Sequence, residues 1–167
     1  VFDELDGFDE KFFVSFEDVD IGWRAWMIGY KSILVPKSIV HHSGGQTIMG
    51  KKPEIAFHGF KNQLSMKITN FEPSLAVRNT LLFFTIYGFR ELKIWLDYKL
   101  KGTTTLSPTN YEDKIAEKPS FKIISKSILW LLCNLGYLVK KQRKINDSRK
   151  ISTKALMKMN IISNQIQ

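Results

Sequence analysis

The chain has 167 residues and carries 25 Lys and Arg against 16 Asp and Glu, a formal net charge of +9. Hydrophobic residues make up 44% and aromatic residues 13%, which excludes a wholly disordered chain, and the length bounds it to about one domain. The one cysteine, Cys133, excludes an internal disulfide and a cysteine-based zinc site, and its apolar neighbours predict a small buried side chain.

The charge is divided along the chain. The first twenty residues are strongly acidic, and Lys and Arg dominate from Arg90 onward. This asymmetry predicts an acidic working site and a separate basic surface, which could meet anionic lipid or nucleic acid or be an ordinary solvated helix face. The chain opens on Val1 within a patterned region and without a basic-then-apolar leader, so it is expected to be a fragment or a processed piece.

Residues 1–16 read as a turn-rich acidic loop with an aromatic plug of Phe12, Phe13 and Phe16. Asp3, Asp6, Asp9 and Glu10 do not follow the alternation of a calcium loop, so a solvated acidic loop is expected. Glu17 to Gly29 reads as a helix with acids in its first turn and a glycine stop. Val19, Trp23, Trp26 and Met27 fall at helical spacing, and Asp20 and Arg24 stand four apart, able to pair. Ser32–Val35 and Ser38–His42 then read as short strands separated by Pro36, and Gly44-Gly45 breaks the pattern. A helix feeding two short strands predicts the edge of an α/β sheet.

From Pro53 the chain turns helical. Glu54–Phe71 is predicted as one amphipathic helix. A second starts at Pro73 and is very apolar as far as Phe89, then polar and basic to Gly102. Residues 103–119 form a polar connector. Ile123–Val139 is a third apolar helix flanked by lysines and arginines, and Thr153–Met159 a short helix in a basic tail. Polar interruptions keep these helices short of the uninterrupted apolar length that a membrane span needs. A helix lying on a membrane surface, a soluble helical hairpin and a true span all remain open, the first fitting the basic flanks best.

Several residue types here can carry chemistry. A first-turn carboxylate such as Glu17 or Asp18 faces the free N–H groups of a helix start, which favour its anion, and could accept a proton from an attacking alcohol. Acids at helix starts are also everyday caps. Of His41 and His42, neighbours on a strand, only one could face such a site, where an imidazole could ligate a metal or bond a phosphate oxygen. Trp23 and Trp26 could stack on a sugar ring or belong to the core. No phosphate loop, His-Glu-x-x-His or complete Ser/His/Asp set is present.

The stretch GFDEKFFVSFEDVDIGWRAWMIGYKSILVPKSIVHHSGGQT resembles the C-terminal half of the catalytic domain of family-two glycosyltransferases, in their rhamnosyltransferase-like branch. The likeness rests on Gly7, Phe8, Asp9, Glu10, Phe12 and Phe13, then Glu17, Asp18, Asp20 and Arg24, then Gly29, Tyr30, Val35, Pro36 and His42. It continues more faintly through Lys61, Asn62, Lys67 and Asn70. The resemblance implies a partial GT-A fold, an α/β Rossmann-like acceptor half over residues 1–71, followed by a basic helical extension over 72–167.

It implies an inverting enzyme that moves a sugar from a nucleotide-diphosphate donor to a hydroxyl of a glycan or lipid-linked acceptor. In that scheme Asp18 is the catalytic base, and Glu17 and Trp23 line the acceptor site. His42 lies near the diphosphate or its metal, and Asp20 pairs with Arg24 to hold the helix. The family's Mg or Mn would find most of its ligands outside this chain, so the isolated chain is expected to be inactive. A cytoplasmic, peripheral place on the inner membrane face follows, with no nucleic-acid partner expected. The rival from another class is a non-catalytic basic helical module that binds membrane or nucleic acid.

Overall fold

The structure, a computed structural model, describes residues 1–41, 52–101 and 121–162. Among the described residues a 3₁₀ turn at Asp3–Leu5 precedes six helices: α1 (Glu17–Met27), α2 (Lys52–Asn70), α3 (Pro73–Lys101), α4 (Phe121–Cys133), α5 (Leu135–Ser148) and α6 (Thr153–Lys158). α2 is the hub and packs on α1, α3, α4 and α5. Its C-terminal half is therefore buried on nearly all sides, including Lys61, Asn62, Ser65, Thr69 and Asn70.

Two apolar clusters hold the helices together. One joins Phe12, Trp23 and Met27 to Met66 and Phe71, and is closed from the other end of the chain by Ile145 and Leu156. Trp23 and Phe71 meet edge to face at 4.9 Å, the arrangement that aromatic quadrupoles favour. The second gathers Leu64, Phe83, Leu131 and Leu138, with Phe60, Tyr87 and Trp130 around them. The last carbonyls of α2 have no partner within the helix. Gln142 of α5 donates to Ile68 O at 2.6 Å, and Arg149 donates to Asn70 O at 2.6 Å.

The expected α/β GT-A half is not what these residues form. No strand occurs among the described residues. Ser32–Val35 and the described part of the second run, Ser38–His41, are exposed throughout, with Leu34 90% accessible. Between them the chain turns, with Ser38 N–H donating to Val35 O at 2.9 Å. β-branched residues favour an extended backbone, but a strand also needs a neighbour's N–H and C=O groups. No neighbour pairs with either run among the described residues.

The predicted third helix is divided. α4 and α5 meet at a bend of 69°. At the break, Asn134 turns its side-chain amide back to Trp130 O at 2.8 Å, the carbonyl its own N–H also meets. Such a local bond competes with continued helix, and Lys11 Nζ holds the other side of that amide at 3.0 Å. Cys133, expected inside the core, is exposed at the end of α4.

Candidate functional site

The entrance to α1 is an unusual turn. Ser15 and Phe16 both have left-handed backbone, at φ 70° and 68°, a costly conformation for residues with a Cβ. Asn62 of α2, wholly buried, holds it by donating its amide to Val14 O and Ser15 O, both at 2.8 Å. The turn presents three acids in the first turn of α1, namely Glu17, Asp18 and Asp20.

These acids have different surroundings. Asp18 is exposed, and its Oδ1 accepts from Val19 N–H at 2.8 Å. Glu17 is half-buried, and its Oε2 has no hydrogen-bond partner although buried. Asp20 is fully buried. It accepts from Arg24 Nε at 2.9 Å and Asn70 Nδ2 at 2.9 Å, and Lys141 Nζ lies 3.4 Å away. Arg24 in turn donates to Leu5 O at 2.5 Å and Gly7 O at 2.9 Å, which ties the N-terminal loop to α1.

The loop is also tied to α5. Asp9 accepts from Lys141 Nζ at 2.5 Å, Tyr137 Oη at 2.7 Å and Lys11 N–H at 2.9 Å. Burial alone would push its carboxyl up, but the charge of Lys141 and these hydrogen bonds outweigh it and hold Asp9 below the usual carboxylate range. Tyr137 is pushed up by burial and by its bond to the Asp9 carboxylate. Asp9 is thus a structural ion-pair partner and not part of a solvated loop.

Between the N-terminal loop, the end of α1 and α5 lies a cleft of about 770 Å³. Phe8, Asp9, Tyr137, Lys140, Lys141 and Lys144 are among its walls, whereas Glu17, Asp18 and Trp23 do not line it. Trp23 is in the apolar core against Phe71, with its Nε1 unpartnered. His41 is exposed, and His42 lies outside the described residues. Among the described residues no group of three His, Cys, Asp or Glu could hold a metal. The acids that come together, Asp9 and Asp20, are already bound to Lys141 and Arg24, so these residues do not fit the Mg or Mn that the resemblance implies.

Lys61 belongs to the fainter part of the resemblance, and no local pattern singles it out by itself. It is 2% exposed, donates to Lys11 O at 2.6 Å and sits 4.3 Å from the Trp130 ring. Burial lowers its ammonium to about 8, with Asp9 partly opposing. Its partners lie 50 or more residues away in the chain, so helical spacing could not reveal them. The partners of Asp9 on α5 were hidden in the same way.

Comparison with known proteins finds a partial likeness. No family model matches the chain, and no solved structure matches it. Two curated relatives do: the N-acetylglucosaminyl-diphospho-decaprenol L-rhamnosyltransferases of Mycobacterium tuberculosis strains CDC 1551 / Oshkosh and ATCC 25618 / H37Rv. Each is 36% identical over 58 residues, 34% of this chain. The chain spans only 19% of the length of either relative. A third of the chain is therefore similar to part of a glycosyltransferase.

Proposed function

We propose that this chain forms the acceptor side of a glycosyltransferase, which moves a sugar from a nucleotide-diphosphate donor to a hydroxyl of a lipid-linked acceptor with inversion. The partial identity to an enzyme named as an L-rhamnosyltransferase supports the class of reaction. The diphospho-decaprenol in that enzyme's name supports a lipid-linked acceptor.

The observation that carries the mechanism is the division of labour at the start of α1. Asp20 is buried and fully engaged, while Asp18 stands exposed at the helix entrance with one carboxylate oxygen bonded only to the adjacent backbone. An exposed carboxylate at a fixed helix start can meet an incoming alcohol. The acceptor oxygen attacks the anomeric carbon as its proton passes to Asp18, and the diphosphate departs from the opposite face. The configuration inverts in that single displacement. Glu17, half-buried beside the same turn, is the acceptor-binding neighbour in this reading.

The test is Asp18→Asn in the full-length enzyme. Asn keeps the shape and the hydrogen bond but cannot take a proton. Turnover is expected to fall about 10²–10⁴-fold, with donor affinity unchanged. Turnover at the wild-type rate would overturn the assignment.

A further inference from the structure

We infer that the outward face of α3 is a docking surface for an anionic lipid bilayer. α3 runs 29 residues from Pro73 to Lys101. Its inner face buries Ala76, Phe83 and Ile94, and Phe83 and Tyr87 pack on Phe60 of α2. The opposite face is apolar too, and no described residue covers it. Leu81, Leu82, Ile86, Phe89, Leu92 and Leu96 are all exposed, Leu81 at 63% and Phe89 at 69%. At 100° per residue these side chains fall within one half of the helix circumference.

From Leu81 to Leu92 the other residues on that arc are Thr85 and Gly88. Arg90 and Glu91 fall off it. The charge-free face is thus roughly 16 Å long. Cations bracket it: exposed Arg78 stands before it, and exposed Lys93 and Lys99 follow it.

A contiguous apolar face of this size is costly in water and marks an interaction site. The bracket of cations decides what it meets. A bilayer boundary takes apolar side chains at acyl depth while Lys and Arg reach anionic headgroups. A second copy of the chain would bring Arg78 and Lys93 against like charges, which disfavours self-pairing. No single described helix is long and apolar enough to cross a membrane, and α3 carries charge at its middle, so this helix lies on the surface. This inference is independent of any action on sugars, because vesicle binding needs no donor or acceptor.

The experiment is flotation of the full chain with phosphatidylcholine vesicles, with and without one quarter phosphatidylglycerol, at low and at physiological salt. Partition onto the anionic vesicles, weakened by salt, is expected. Leu81→Ser and Phe89→Ser should each reduce it on the order of tenfold, as expected for losing one large buried apolar side chain. Both positions are exposed, so circular dichroism should report unchanged helix content. Absence of partition would overturn the inference, as would binding that the two variants leave untouched. Concentration-dependent dimers that the same variants abolish, without vesicle binding, would assign the face to a second copy and overturn it as well.

Discussion

Asp18 and Asp20 are two residues apart in one turn of helix, and their surroundings separate structure from chemistry. Asp20 is enclosed by Arg24, Asn70 and Lys141, so removing its carboxylate takes the counter-charge from the buried Arg24 guanidinium. We predict that Asp20→Ala loses about 3–5 kcal/mol, the usual cost of breaking a buried ion pair. Asp18→Ala loses a single exposed bond and should cost about 1 kcal/mol or less. Urea denaturation of the two variants checks the contrast, and equal losses would show that Asp18 is structural. Of this arrangement, only the Asp20–Arg24 spacing was legible in the sequence, because i,i+4 neighbours meet on any helix. Asn70 and Lys141 are 50 and 121 residues from Asp20, and no local pattern points to them.

The helices other than α4 and α5 were legible from apolar runs and from stop signals such as Gly29, Pro73 and Gly102. α1 stops at Met27, with Gly29, the predicted stop, as the left-handed residue just beyond its cap. Tyr30 N–H donates to Ala25 O at 3.0 Å and Gly29 N–H to Trp26 O at 3.1 Å, the pair of bonds that closes a helix through a left-handed residue. Gly29 has φ +99° and open space around it, so backbone strain alone sets the cost of a side chain there. Gly29→Ala should lose about 1–2 kcal/mol. Gly22, at mid-helix and also in open space, supplies the opposite sign: Gly22→Ala should gain about 0.5–1 kcal/mol from helix propensity. Thermal melts of the pair test this, and a common sign would refute it. The two strands were misread because β-propensity is local whereas pairing is not. Ile33, Leu34 and Val35 read as a strand by residue type yet stand exposed. The bend at Asn134 was missed because one amide, turned back on Trp130 O and held by Lys11, overrides an otherwise continuous apolar run.

Over the whole molecule, the split of charge along the sequence becomes a clamp. Part of the acidic N-terminal segment and part of the basic C-terminal one, the loop and α5, lie side by side. They bind each other through Asp9 and Lys141 at 2.5 Å and through Asp6 and Lys144. The second pair is exposed and should add little. The first is buried, with Asp9 Oδ1 also held by Tyr137, so it governs how the fold responds to acid. Because the folded state holds Asp9 below its ordinary value of 3.8, its contribution is complete above about pH 4 and is lost as pH falls further. Glu72, held below 4.5 by Thr153 and Arg149 against the effect of burial, acts in the same direction. Lys141→Gln should reverse the sign at Asp9. The carboxylate would stay buried without its cation, at a cost of about 3–5 kcal/mol at pH 7. Burial would then raise its proton affinity, so protonation would restore part of the loss. The melting temperature of the variant should therefore rise, relative to that of the wild type, as pH is lowered from 6 to 4. Parallel melting curves across that range would mean that Lys141 does not set the charge of Asp9, and that the loop is held to α5 by its hydrogen bonds alone.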